Sequence, residues 1–165
     1  MFPSHDRGGF EPVALFAHAF LESGRFLKPI GKYNLWGIKA PGRWRKMKNP
    51  PIPIAKVLTH EDTDKGMQKF REPFLLFRSM NESVNYYEKL IWRLYKNAAR
   101  GRFQAASFFD GLVSGRFKWA TDRRYVKKLT AVHAVLSRAR WAQDLLAPRI
   151  EECRIAMKAY RARNL

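Results

Sequence analysis

The chain has 165 residues, enough for one domain with a core of its own and too few for two of ordinary size. At 46% hydrophobic it is not a disordered chain, and its single cysteine, Cys153, excludes an internal disulfide and a thiolate metal site. The 32 Lys and Arg outnumber the 14 acids and give a net charge of +18, so a partner of opposite sign is expected: nucleic acid, an anionic membrane surface, or an anionic polymer such as cell wall.

Taken in chain order, the first predicted element is a short helix. Val13, Phe16, Ala17, Phe20 and Leu21 repeat at one-face helical spacing. Pro12 suits the first turn, where its missing N–H costs nothing, and Gly24 suits the stop. Glu22 therefore falls in the last turn, beside aromatic neighbours and at the negative end of the helix dipole. A carboxyl there is expected to hold its proton longer than a free glutamate, which is what a general acid needs near neutral pH. A plain surface glutamate at a helix end is the alternative, and this stretch alone does not decide between them.

Residues 25–56 hold five prolines and three glycines and read as irregular structure anchored by Tyr33, Trp36 and Trp44. Ile54–Thr59 and Lys69–Phe77 read as two short strands, with the polar stretch His60–Gly66 as the turn of a small hairpin. Helices follow. Ser79 and Glu82 form a capping box, opening a helix with Val84, Tyr87, Leu90, Ile91, Leu94 and Tyr95 on one face and Gly101 at its end. Phe103–Val113 reads as a shorter helix. Thr121-Asp122 caps a longer one, with Tyr125, Leu129, Val132, Val135 and Leu136 as its stripe. Pro148 is expected to break or kink the run, and Arg149–Leu165 reads as a basic amphipathic helix.

Three segments occur in a telling order: Ala17-His18-Ala19-Phe20-Leu21-Glu22-Ser23-Gly24, then Asn34-Leu35-Trp36-Gly37-Ile38-Lys39, then Trp119-Ala120-Thr121-Asp122-Arg123-Arg124-Tyr125 continuing to Leu129. A fourth, Glu82-Ser83-Val84-Asn85-Tyr86-Tyr87, lies between the last two. Together, over about residues 9–137, they resemble the bacterial glucosaminidase family, glycoside hydrolase family 73. That family's pattern runs roughly A-Q-A-x-L-E-S-G-W-G, N-L-F-G-I-K, E-S-I-x-D-Y and Y-A-T-D-P-x-Y-x-x-K-L. This chain departs from it with His18 for Gln, Arg25-Phe26 for Trp-Gly, Trp119 for Tyr and Arg123 for Pro.

The resemblance implies an α+β, mainly helical, lysozyme-like fold with a helical lobe and a small β-hairpin lobe flanking a cleft. It implies hydrolysis of the β-1,4 bond after N-acetylglucosamine in peptidoglycan. Residues 1–137 would form the glucosaminidase domain and 138–165 a basic helical extension. Such cleavage usually takes two carboxyls. Glu22 matches the family's acid, and Glu61 has the placement of the second, with Asp62 next and Asp64 more simply a solvated turn residue. Tyr87 and Tyr125 match tyrosines that bond the reacting sugar, although both also sit on apolar stripes. Asn34 would bond backbone or a sugar amide. Trp36 and Trp119 would stack on sugars or fill core. One objection is local: a charged His18, one turn before Glu22, would draw the proton off the acid.

No cofactor is expected, and His60 and His133 lack partners at metal-ligand spacing. Peptidoglycan is the expected partner, with an anionic membrane or lipopolysaccharide as a further contact for the C-terminal helix. The cations track no nucleic-acid motif, so no specific nucleic acid is expected, and the chain should act as a monomer. The N-terminus lacks the basic start and apolar core of a signal peptide. The expectation is therefore synthesis in the cytoplasm and release onto the wall, as for a phage endolysin or virion lytic protein. The competing readings are a wall-binding protein without chemistry, and a muramidase or lytic transglycosylase on the same fold.

Overall fold

The first helix forms where the apolar spacing places it: α1 spans Pro12–Glu22. Its start signal is one the composition hides. Glu11 caps it, accepting the N–H of Val13 at 3.1 Å and of Ala14 at 2.6 Å. The computed structural model describes residues 9–63 and 66–164, with side chains over 9–59 and 69–163. The remaining elements are strands β1 (Ile54–Thr63) and β2 (Gly66–Leu75), then helices α2 (Met80–Leu94), α3 (Lys96–Arg100), α4 (Ala105–Val113), α5 (Tyr125–Arg138) and α6 (Arg140–Asn164). The chain is thus mainly helical with a two-stranded antiparallel sheet, as expected. None of the described helices is long and apolar enough to cross a membrane.

Two compact units divide the chain. One takes the chain up to Leu21 and from Glu88 on; the other is Glu22–Tyr87. In the helical unit, α3 and α4 lie so close that a Cβ on Gly111 would overlap the Ala98 backbone nitrogen. Only glycine permits that approach. Phe108, Phe109, Leu112 and Leu129 form the core there, and Phe10 meets Phe108 and Trp92 edge-on at 5.7 and 6.1 Å. In the second unit the hairpin pairs from Ile54 opposite Leu75 to Thr63 opposite Gly66. The loop before it runs along β2: Leu75 N–H donates to the Ile38 carbonyl at 3.1 Å and Ala40 N–H to the Pro73 carbonyl at 2.8 Å.

Several boundaries differ from the sequence expectation. The strands extend into His60–Thr63, which reads as turn, because a two-stranded ribbon tolerates polar residues on both faces. The helix opened by Ser79 does not run to Gly101. It stops at Leu94, Tyr95 takes φ −110° and ψ 65°, and α3 restarts before Gly101 closes it. At the C-terminus the interruption is Ala139, with φ −77° and ψ 113°, and α6 runs unbroken through Pro148.

Helix α6 packs within the helical unit. Trp141 and Leu145 are exposed; Ala142 and Cys153 are buried. Tyr160 meets Phe103 at 5.6 Å, and the buried Arg102 guanidinium lies within 4.9 Å of the Trp92, Phe103 and Tyr160 rings. Burial pushes the Cys153 thiol up to about 11, so it remains a neutral packing group near neutral pH.

Candidate active site

Glu22 stands where the sequence places it, in the last turn of α1, half-buried. The chain leaves it through an unusual turn. Gly24, Arg25 and Phe26 all adopt left-handed backbone, with φ of 58°, 64° and 63°. Glycine takes that conformation freely; for other residues it costs roughly 1–2 kcal/mol each. Buried Ser23 closes the turn. Its Oγ accepts the Phe26 N–H at 2.9 Å, and its carbonyl accepts the Lys28 N–H at 2.9 Å. Arg25 and Phe26, the departure from the family's Trp-Gly, are thus the two residues that carry the strain.

The objection raised by His18 is answered by its surroundings. The ring is fully buried, with Trp119 edge-on at 4.6 Å and Phe108 and Tyr125 at 6.5 and 6.1 Å. Desolvation lowers its pKa from 6.5 to about 3, so it is neutral near pH 7. It places no positive charge one turn from Glu22.

Glu61 occupies the β1 position opposite Gln68, so it belongs to a paired strand and not to the hairpin turn. Its side chain and that of Asp62 lie outside the described residues, as does Asp64 altogether. The other sequence-picked residues fall into two groups. In the helical unit, Trp119 and Tyr125 gather with His18, and Tyr95 lies 5.3 Å from Trp119. Trp119 is half-buried and Tyr125 is 6% exposed. In the hairpin unit, Trp36 and Tyr87 stack face to face, 4.2 Å apart and 12° from parallel. They are 3% and 0% exposed, so each ring spends its face on the other and offers none to a sugar.

Asn34 takes the backbone role of its two alternatives. Its amide donates to the Ile38 and Leu75 carbonyls at 3.0 and 2.9 Å, and its Oδ1 accepts the Ile38 N–H at 2.8 Å. With 1% exposure and three bonds to backbone, it ties the loop to β2. Asp122 acts as the start signal of α5, accepting the Arg124 N–H at 2.8 Å and the Lys128 ammonium at 2.7 Å. Of the four aromatic candidates for sugar contact, Trp36, Tyr87, Trp119 and Tyr125, only Trp119 keeps appreciable exposure.

Sequence reasoning passed over two carboxyls. Glu11 caps α1 and meets His133 Nε2 at 3.2 Å. Glu88, on α2, has its pKa raised mainly by burial, with Arg149 lowering it and Glu152 raising it. A polar residue beside an apolar stripe gives no sequence signal of such burial.

A mainly helical chain with one antiparallel hairpin and an acid closing its first helix has the architecture of the peptidoglycan hydrolase domains. The structure resembles a mutant of a peptidoglycan hydrolase from Sphingomonas sp. A1, with TM-score 0.63 and 25% identity over 81% of this chain and 83% of that one. It also resembles a C-terminally truncated glycoside hydrolase domain of FlgJ from Salmonella typhimurium, with TM-score 0.60 and 26% identity over 82% and 89%. The peptidoglycan hydrolase FlgJ of Escherichia coli K12 is 31% identical over 123 residues, 70% of this chain; those residues span 37% of that relative. The family model for glucosaminidase, described as mannosyl-glycoprotein endo-β-N-acetylglucosaminidase, matches residues 4–137. The chain belongs to the glucosaminidase family of glycoside hydrolases.

Proposed function

We propose that this protein is a peptidoglycan hydrolase, an endo-β-N-acetylglucosaminidase that cleaves the β-1,4 bond after N-acetylglucosamine. In this reading residues 1–137 form the hydrolase domain and 138–165 a basic extension. Glu22 is the general acid that protonates the leaving oxygen, and Glu61 is the second carboxyl, acting on water or on the developing oxocarbenium charge. The observation that carries the reading is the setting of Glu22: half-buried, at the negative end of the α1 dipole, with a neutral His18 one turn earlier. Family membership supports the same assignment. Trp119, half-buried, is the aromatic side chain assigned to sugar stacking. Trp36, Tyr87 and Asn34 act indirectly, by holding the loop and hairpin in shape.

The extension has its own part in this reading. Trp141, Leu145 and Ile155 stay exposed on a helix rich in Arg and Lys, a composition that suits an anionic membrane or lipopolysaccharide surface. The protein acts as a monomer on the wall.

Glu22→Gln tests the assignment. It keeps the shape of the side chain and removes the proton that catalysis needs. Reducing ends released from purified wall should drop at least ~100-fold, the usual contribution of a general acid, with the far-UV circular dichroism unchanged. Wild-type products should carry reducing N-acetylglucosamine by mass spectrometry. Undiminished activity in the variant would remove Glu22 from the mechanism, and reducing or anhydro N-acetylmuramic ends would make the enzyme a muramidase or a lytic transglycosylase.

A further inference from the structure

From Ser23 to His60 the chain carries nine Lys and Arg and no Asp or Glu. Most of this stretch is loop, and its middle is held firmly. Trp44 opens a short 3-10 turn, Trp44–Lys46, and leans on Tyr86 with ring centroids 5.9 Å apart. Tyr86 in turn leans on Phe77 at 5.5 Å. Arg45 Nε donates to the Ala40 carbonyl at 2.9 Å, and Ala40 is itself bonded to β2 through Pro73. Arg43, Lys46 and Lys48 therefore project from a fixed support, not a slack loop. All three are exposed, and none makes an ion pair among the described residues. Arg43 lies over the Trp44 ring at 5.9 Å, and Met47 is exposed between the two lysines.

The cations of α6 differ. Arg140, Arg149 and Arg154 pair with Asp144, Glu152 and Glu151 along the helix. Their charge is partly spent within the element, whereas that of the 43–48 segment is not. Three cations with no acid within the stretch, on a support pinned to the hairpin sheet, form a surface for an anionic partner.

We propose that Arg43, Lys46 and Lys48, around Trp44, form a docking surface for the carboxylates of the peptide stems that branch from peptidoglycan glycan strands. The inference rests on the wall-hydrolase reading and adds a recognition element to it. The sugar chain lies at the acid, and the stems, which carry the negative charge of the polymer, lie on the cationic segment. The surface selects stem-bearing wall over bare glycan.

The test is cosedimentation of full-length protein with two insoluble substrates: wall with its stem carboxylates free, and the same wall, still cross-linked, with those carboxylates amidated by carbodiimide and ammonia. The triple variant Arg43→Ala, Lys46→Ala, Lys48→Ala is compared with wild type and with a control triple on the helical unit, Arg138→Ala, Lys158→Ala, Arg161→Ala. Folding is checked by circular dichroism, and Lys46→Glu serves as a second, single-site variant. Three exposed contacts should together weaken binding to wall with free stem carboxylates about tenfold. The control triple should lose less than about twofold, and on amidated wall all the proteins should bind alike. Equal losses in the two triples would show that net charge, not this surface, holds the wall. Equal losses on the two substrates, or no loss, would also overturn the proposal. Reducing-end release by wild type is measured alongside. It judges the hydrolase reading separately, because cosedimentation is scored whether or not a bond is cut.

Discussion

At the residue scale the decisive side chain is His18. The family pattern has glutamine there, which cannot titrate, whereas a histidine brings a proton site into the core. Burial lowers its pKa to about 3, against 6.5 in the unfolded chain. Between those values the unfolded state binds the proton and the folded state does not, so stability falls as pH falls below 6.5 and levels off below about 3. At pH 5 this group alone should have removed about 2 kcal/mol relative to its high-pH contribution. Urea unfolding at pH 7 and pH 5 measures it. His18→Gln should shrink the difference between the two pH values by about that amount, whatever the variant does to stability at pH 7. An unchanged difference would mean that other groups set the acid slope. The sequence showed His18 on the same helix as Glu22 but not its protonation state, because burial comes from Trp119, Phe108 and Tyr125, brought in from far along the chain.

At the element scale the helices follow signals that local chemistry writes into the sequence. Ser79 Oγ accepts the Glu82 N–H at 3.1 Å, and Asp122 holds the start of α5. The interruptions at Tyr95 and Ala139 were not legible, since neither residue is a proline or glycine and both lie in otherwise helical runs. Pro148 misled in the other direction, because an α-helix can absorb a proline where its neighbours hold it. The roles of Asn34, Trp36 and Tyr87 were left between sugar and core by their residue types; only packing separates these. Gly111 shows what such packing demands. It falls inside α4, where glycine is a poor helix former, and its use lies across the contact with α3. Gly111→Ala should gain helix propensity yet lose stability, because the new methyl meets the Ala98 backbone, which cannot step aside as a side chain would. A net loss of about 1–3 kcal/mol is expected, read as a lower urea midpoint. A gain of up to about 1 kcal/mol would mean that α3 and α4 separate freely.

At the scale of the whole molecule, the +18 charge and the 43–48 segment act over different ranges. Net charge works at a distance. It repels itself within the folded chain and draws the protein toward an anionic wall, and salt screens both effects, with a Debye length of about 10 Å at 0.1 M. The two consequences carry opposite signs. Raising sodium chloride from 0.05 to 0.3 M should raise the urea midpoint, as self-repulsion weakens. The same change should slow association with soluble stem-bearing wall fragments, by roughly tenfold where steering dominates the encounter. Stopped-flow fluorescence, using the five tryptophans, reads the second quantity. Because steering depends on total charge, the 43–48 triple and the control triple on the helical unit should slow association by similar factors. Only the first should speed dissociation, because only that surface touches the stems in the bound state. Association and stability that both rose with salt would mean that apolar burial, not charge, governs the encounter with the wall.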